Sequence, residues 1–159
     1  MIQNSYDNKP NLYLISTPIG NLEDITYRSI KVLNEISVVF SEDTRVTLNL
    51  LTHYGISKKL IALHEYNEDT AKEKVLDYLK NGESVALVTD RGTPIISDPG
   101  YKTVKYISDN GYNVVALPGA TAFVPALITS GIAPQPFLFY GFLDSKDSIR
   151  KKELEALSD

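Results

Sequence analysis

The chain has 159 residues, of which 43% are hydrophobic and 23% charged, so it suits one folded domain and argues against intrinsic disorder. It contains no cysteine, which excludes a disulfide framework and a thiolate metal site. Because its net charge is −4, binding of a nucleic acid would need a local basic patch, a second subunit or a part of the protein outside this sequence. From its polarity, we do not expect the N-terminal segment to be a secretory signal, and the least polar segment, 118–133, is too short and interrupted to span a membrane. We therefore expect a soluble, cytoplasmic protein with no membrane partner.

The first half of the chain contains three short apolar runs, at residues 12–15, 38–40 and 60–63. Each run is nearly continuous in apolar residues, which is typical of strands buried on both faces of a parallel sheet. Helical patterns follow the first two runs. One is capped by Thr26 and extends to Ile36, and the other is opened by Thr44 or Arg45 and ends at Tyr54, where Gly55 suits a left-handed turn.

The second half continues the same alternation. A helix is predicted to begin at Asn67 or Asp69 and to stop at Asn81 and Gly82. Two further apolar runs, at residues 85–88 and 114–117, flank a helix predicted from 101 to 110. Strand and helix thus alternate five times with short connections, which predicts an α/β fold with a mainly parallel five-stranded sheet flanked by helices.

The C-terminal segment departs from this alternation. The apolar run 137–142 is consistent with a further strand, and Asp144 or Ser145 is expected to cap a charged segment from 146 to 157. We interpret residues 1–143 as one ligand-binding domain and residues 144–159 as a connector towards a second domain. A solvated terminal helix is the alternative interpretation of the charged segment.

Ligands of open α/β sheets bind outside the carboxyl ends of the strands. The segments that follow the first, second, fourth and fifth strands are rich in glycine, proline and polar residues, at 16–24, 41–45, 89–100 and 118–122. Glycine lets a ligand approach the backbone, and proline reduces the conformational freedom lost on binding. Any one of these loops could be an ordinary turn, but four at one edge of a sheet indicate a binding site.

Common motifs for other chemistries are missing. No glycine-rich dinucleotide or phosphate-binding loop follows the first strand, and the His64–Glu65 pair lacks the second histidine of a zinc protease because position 68 is Glu. The two histidines, His53 and His64, are interpreted as surface or packing residues. We therefore expect no metal site.

Several of the loop sequences resemble a known family. Residues 12–26, Leu-Tyr-Leu-Ile-Ser-Thr-Pro-Ile-Gly-Asn-Leu-Glu-Asp-Ile-Thr, are similar to the ribosomal RNA small-subunit methyltransferase I family, a branch of the tetrapyrrole (corrin/porphyrin) methylases. The likeness is shared by segments 41–45, 64–65, 67–68, 92–94, 97–100 and 117–120 and by Asp90. The likeness covers residues 11 to 143. Arg91 departs from it, because the family usually has a small residue at that position.

The resemblance implies a two-domain, usually homodimeric enzyme that binds S-adenosyl-L-methionine and methylates a cytidine ribose 2′-hydroxyl in small-subunit (16S) ribosomal RNA, free or in the assembled subunit. The isolated chain would be inactive. By match to the family motifs, the expected cofactor contacts are Pro18, Asp90, Gly92, Ile96, Ser97, Thr121 and Ala122. Asp90 could instead brace its loop, since loop aspartates commonly bond nearby backbone.

The loop at 41–45 is the candidate for the substrate side. Methyl transfer to oxygen needs the hydroxyl proton removed, and Glu42 or Asp43 could accept it, while Arg45 could hold a phosphate bidentately. Alternatively, Asp43 or Thr44 caps the next helix and Arg45 pairs with an acidic neighbour. Two other functions remain open at this point: a methylase of a small tetrapyrrole, and a non-catalytic binding or dimerisation module.

Overall fold

Five parallel strands form the sheet at the centre of the computed structural model, which describes residues 9–157. The order across the sheet is β3-β2-β4-β1-β5. The strands are β1 (Asn11–Ile15), β2 (Val38–Ser41), β3 (Lys59–Ala62), β4 (Val85–Val88) and β5 (Asn113–Leu117). The predicted fold, an α/β domain with a five-stranded parallel sheet, is confirmed.

Helices connect the strands and cover both faces of the sheet. They are α1 (Tyr27–Glu35), α2 (Thr44–His53), α3 (Glu68–Lys80), α4 (Tyr101–Asp109), α5 (Phe123–Thr129) and α6 (Asp147–Ala156), with a short 3-10 helix at Leu22–Asp24. Thr26 caps α1 as predicted, with its hydroxyl accepting the Ser29 N–H at 3.0 Å. Within residues 9–157, no helix is long and apolar enough to cross a membrane.

The core has two layers, one on each face of the sheet. On one face, Phe40 packs with Val75 and Leu76 of α3. On the other, Val39 packs with Leu33 of α1 and with residues of α2. Consecutive residues of a strand point to opposite faces, so a strand covered on both sides must be apolar throughout. This arrangement explains the continuous apolar runs in the sequence.

A buried carboxylate joins the two helices on the α3 side. Glu68, at the start of α3, is 6% exposed, and its Oε1 accepts hydrogen bonds from the Thr103 backbone N–H at 2.8 Å and the Thr103 hydroxyl at 3.1 Å. Those groups lie in the first turn of α4, where backbone N–H groups lack partners within the helix. Glu68 therefore fixes the position of the N-terminus of α4 and of the loop that leads into it.

The C-terminal part differs from the prediction in three respects. Residues 137–142 are not a strand, because Phe137 and Phe139 pack against Phe123 of α5 instead of pairing with the sheet. The cap position of α6 is Lys146, and Asp144 accepts the Lys146 N–H just before the helix. The short helix α5 was not predicted. Residues 1–8 of the polar N-terminus and residues 158–159 of the predicted connector lie outside the described part.

Candidate functional site

The loops that follow β1, β4 and β5 are joined to one another at the carboxyl edge of the sheet. Thr17 and Gly92 exchange two backbone hydrogen bonds, of 2.9 and 3.0 Å. The Thr93 hydroxyl donates to the Ala120 carbonyl at 3.1 Å, so its other contact, the Ser16 hydroxyl at 3.1 Å, must be the donor of that second bond. These bonds hold the three loops as one unit.

Two glycines allow this close approach. A Cβ atom at Gly119 would lie 2.7 Å from the Cβ of Ser16, closer than real side chains come. Gly92 has a φ of +84°, in the left-handed region, and a Cβ there would lie 3.4 Å from Ile19. Side chains at these positions would push the loops apart or fill the space between them.

A cleft of about 290 Å³, here called the first cleft, opens beside the joined loops. Its wall includes the rings of Phe123 and Phe139, whose centroids are 5.0 Å apart. Five of the seven predicted cofactor residues lie around it: Gly92, Ile96, Ser97, Thr121 and Ala122. The structure therefore brings residues from the loops after β4 and β5 into one concave site.

The other two predicted cofactor residues, Pro18 and Asp90, line a second cleft of about 360 Å³ beside α2. Arg91 lines both clefts and so stands where they meet. Asp90 also has a local role, because its Oδ1 accepts the Asp43 N–H at 3.1 Å. That bond braces the loop after β2 against the loop after β4, which is the alternative considered for Asp90.

The structure places Arg45 on Asp43. The Arg45 Nε and Nη2 atoms donate to the two carboxylate oxygens of Asp43 at 3.0 and 2.6 Å. Asp43 also caps α2 by accepting the Arg45 backbone N–H at 2.8 Å. These bonds lower the pKa of Asp43 to about 2. The capping and pairing alternative is thus the arrangement that the structure shows for this loop.

Glu42 lies apart from that pair, in a third cleft of about 410 Å³ that also includes Ser97 and Asp98. Its Oε2 accepts the Thr89 hydroxyl at 3.1 Å. Partial burial raises the pKa of Glu42, the Thr89 hydrogen bond opposes that effect, and the carboxylates of Asp90 and Asp98 add to it. Glu42 therefore holds its proton more tightly than an ordinary glutamate.

Asp98 was not among the residues selected from the sequence. It lines both the first and the third cleft, and burial raises its pKa, with the nearby Asp90 carboxylate adding to the effect. The segment that contains it, 97–100, carries part of the family resemblance, so a signal was available. The raised pKa values of two carboxyls in one region are typical of functional sites.

The loop after β4 is conformationally strained. Ile95 and Ser97 have φ values of 78° and 66°, a region that residues with side chains seldom adopt, least of all a β-branched one. Such conformations persist only where the surrounding structure imposes them, and they concentrate at binding and catalytic sites. Ile96, between the two, is thereby directed towards the first cleft.

Among residues 9–157, no cluster of acidic and histidine side chains could hold a metal ion.

Residues 11–159 match the family of tetrapyrrole (corrin/porphyrin) methylases. The chain belongs to this family. Two curated relatives, from Bacillus subtilis (strain 168) and Haemophilus influenzae, are named ribosomal RNA small subunit methyltransferase I, which confirms the resemblance read from the sequence. They are 51% and 45% identical to the chain over 92% and 93% of its length. The chain spans about half of each, 50% and 52%.

Solved structures of tetrapyrrole methylases share the fold. Uroporphyrin-III C-methyltransferase from Thermus thermophilus superimposes with a TM-score of 0.59 at 20% identity, over 79% of this chain and 53% of that one. A cobalt precorrin-4 methyltransferase superimposes with a TM-score of 0.61 at 22% identity, over 76% of this chain and 49% of that one. At these identities the likeness establishes the methylase fold and nothing about substrate.

Proposed function

We propose that the full-length protein is an S-adenosyl-L-methionine-dependent methyltransferase that modifies a ribose 2′-hydroxyl, at a cytidine, in small-subunit (16S) ribosomal RNA. The observation that carries this proposal is the 51% identity to the Bacillus subtilis relative named for small-subunit ribosomal RNA, over 92% of the chain. The chain spans half of that relative, so the activity is assigned to the whole protein and not to this half alone.

The first cleft is the proposed site of the methyl donor. S-adenosyl-L-methionine supplies a methyl group on a positively charged sulfur and carries an aromatic base, a ribose and an amino acid. The apolar side chains of Ile96, Phe123 and Phe139 can pack against the base. The hydroxyls of Ser97 and Thr121 can form hydrogen bonds with the polar groups of the donor. Gly92 lines the cleft without a side chain and so leaves that space to the donor. Pro18 and Asp90 would contact the donor only at the boundary with the second cleft.

Of the two acidic residues in the loop after β2, Glu42 is the better candidate for the group that takes the acceptor proton, through a water molecule, because its cleft shares Ser97 and Asp98 with the first cleft. A general base works best when its pKa lies near the working pH, and the pKa of Glu42 is raised towards that range. Asp43 is less suited, because its carboxylate binds Arg45 and its pKa of about 2 makes it a weak base. The Thr89 hydroxyl orients Glu42 through its hydrogen bond.

Other parts of the assembly follow from the same proposal. Residues 1–143 would form the donor-binding domain, and residues 144–159, which include α6, would connect it to a second domain. A homodimer in the cytoplasm, close to the ribosomal subunits, is the expected form. With a net charge of −4, the chain needs a local cationic site or another part of the assembly to attract RNA.

The decisive experiment is transfer of labelled methyl from S-adenosyl-L-methionine to purified small subunits that lack the modification, followed by nuclease mapping. We expect the label on one 2′-O-methylated cytidine of the small-subunit RNA. Label on a base would contradict the ribose assignment. Turnover of a uroporphyrin-type substrate without any label on RNA would favour the alternative function, a tetrapyrrole methylase, which the family fold also accommodates.

A further inference from the structure

The second cleft contains side chains that neither the fold nor the first cleft uses. Arg91 is exposed, and its guanidinium makes no hydrogen bond or ion pair with any residue between 9 and 157. Asn49, on the exposed surface of α2, likewise has no side-chain hydrogen bond in the described part of the chain. Both side chains border one concavity, with their donors and the amide acceptor open to a ligand.

Apolar side chains line the same cleft as these two polar groups. Val46 and Leu22 line the same cleft, and each is 41% exposed, so both offer apolar surface to a ligand there. Val46 and Asn49 are three positions apart on α2, so they stand side by side on the helix surface. The cleft therefore combines an apolar wall, an amide and a guanidinium.

That combination suits one nucleotide of a single-stranded RNA. An unstacked base or its sugar can lie on the apolar wall, an Asn amide can both donate to and accept from a base edge, and a guanidinium binds phosphate bidentately. We propose that the second cleft receives the acceptor nucleotide, with Arg91 on a backbone phosphate and Asn49 on the base. This proposal rests on the proposed function and names the acceptor subsite within it.

Position and charge both favour Arg91 over Arg45 for this contact. Arg91 lines the first and the second cleft, so a phosphate held by it would place the neighbouring ribose at the boundary where donor and acceptor must meet. The Arg45 guanidinium is held by both oxygens of Asp43. Its recruitment to a phosphate would require that ion pair to break, whereas Arg91 is already available.

Arg91 would also offset the negative charge of the acidic residues at this edge of the sheet. Asp90, Glu42 and Asp98 lie in or near the clefts, and without a cation they would repel the RNA backbone. Arg91 stands directly after Asp90 in the chain and provides positive charge at that place. The resemblance gave this position as one where the family usually has a small residue, so the contact would be a feature of this protein.

The test uses the full-length protein and measures binding and turnover separately. Binding of a fluorescently labelled single-stranded oligoribonucleotide from the small-subunit RNA is followed across a salt series, S-adenosyl-L-methionine binding by calorimetry, and KM and kcat with purified small subunits. The variants are Arg91→Ala, Arg91→Lys, Asn49→Ala and Arg45→Ala. Lys80→Ala removes one positive charge from the last turn of α3, at the opposite edge of the sheet, and is the matched control.

We expect Arg91→Ala to weaken oligoribonucleotide binding and raise KM for subunits by about tenfold to a hundredfold, the range for a lost charge-assisted contact. The slope of log affinity against log salt should fall by about 0.7, the loss of one phosphate contact on single-stranded RNA. Affinity for S-adenosyl-L-methionine should not change. Arg91→Lys should keep the salt slope and lose part of the affinity, and Arg45→Ala and Lys80→Ala should have smaller effects.

Three results would overturn the proposal. The first is an Arg91→Ala variant that loses affinity for S-adenosyl-L-methionine and keeps its salt slope, since Arg91 would then hold the donor. The second is an equal loss of oligoribonucleotide affinity in the Lys80→Ala variant, which would show that the effect of Arg91→Ala comes only from the change in net charge. The third is an Asn49→Ala variant with unaltered KM for subunits and unaltered affinity for the oligoribonucleotide. Failure of the proposed function is separate, because wild-type protein would then label a base or would not label RNA at all.

Discussion

At the scale of single residues, the pKa values of Asp43 and Glu42, two adjacent residues in the loop after β2, are shifted in opposite directions. Asp43 is ionised down to low pH, because its bonds to Arg45 lower its pKa from 3.8 to about 2. That pairing contributes stability above the ordinary pKa, and the contribution is lost as pH falls through about 2. Glu42 behaves in the opposite sense. Its raised pKa means that the folded protein binds the proton more tightly than the unfolded chain does, so stability falls as pH rises above 4.5.

This difference leads to a prediction for Glu42→Gln. The substitution removes the charge that burial and the neighbouring carboxylates disfavour, so the variant should unfold at a higher temperature than wild type at neutral pH and at a similar temperature in acid. If Glu42 takes the acceptor proton, kcat should fall by about 10²- to 10⁴-fold. The acid limb of the wild-type pH–rate profile, which follows the raised pKa, should disappear.

Thermal unfolding across pH and single-turnover methyl transfer are the two measurements. Glu83→Gln, in the turn between α3 and β4 on the opposite edge of the sheet, is the control and should leave both unchanged. A Glu42→Gln variant that is stabilised but fully active would show that the raised pKa has no catalytic role.

At the scale of elements, the site depends on contacts between loops and not on any one loop. The loops after β1 and β5 meet at Ser16 and Gly119, and the loop after β4 joins them through Thr17, Gly92 and Thr93. Since Gly119 has an ordinary backbone conformation, the requirement for glycine there is steric. Its missing Cβ is what lets two adjacent strands end in touching loops.

We therefore expect Gly119→Ala to destabilise the protein by about 1–3 kcal/mol, the usual cost of overpacking. The added methyl would fall 2.7 Å from the Ser16 Cβ, and the nearby Ser16 backbone limits how far the loop can yield. Denaturant unfolding measures the change. Gly20→Ala is a matched control, because a Cβ at Gly20 meets nothing within 4 Å. The Gly20→Ala variant should be as stable as the wild-type protein or slightly more stable. Equal stability of both variants would contradict the steric argument.

At the scale of the whole molecule, the first cleft is open on one side. Phe142 lines it and is 88% exposed, and the adjoining residues of the C-terminal part, such as Leu138, are also largely exposed. A ligand in this cleft would keep part of its surface in water unless more protein covers it. This openness gives a physical reason to expect weaker donor binding by the isolated chain than by the full-length protein.

The corresponding prediction concerns two positions in the wall of the cleft. Replacing Gly92 and Thr121 together by leucine should abolish measurable S-adenosyl-L-methionine binding by the full-length protein, because the side chains would occupy the cleft and Gly92 has a φ of +84°. Titration calorimetry provides the measurement. The control is Gly82→Leu, which is also at a positive φ, +82°, but lies in the turn after α3 with open space around it. Retained affinity in the double variant would move the donor out of the first cleft.

The sequence by itself determined the five strands, the helices α1 to α4 and the edge of the sheet that carries the candidate site. The apolar runs, the Thr26 cap and the glycine after α2 are local signals, and local interactions decide where a strand or helix begins and ends. The run at 137–142 misled the prediction, because the same apolar residues that suit a strand also pack on a neighbouring helix, here around Phe123. Only long-range contacts distinguish these outcomes.

The tertiary structure decided which loops touch and which cleft each loop residue lines. Because β1 lies between β4 and β5, the loops after these three strands form the first cleft, and because β2 adjoins β4, Glu42 reaches Thr89. Neighbours in the sheet are far apart in the chain, so no local pattern encodes these contacts. For charge, the sequence left open whether Arg45 pairs with an acidic neighbour, and the folded structure shows that Asp43 binds it while Arg91 stays unpaired within the described residues.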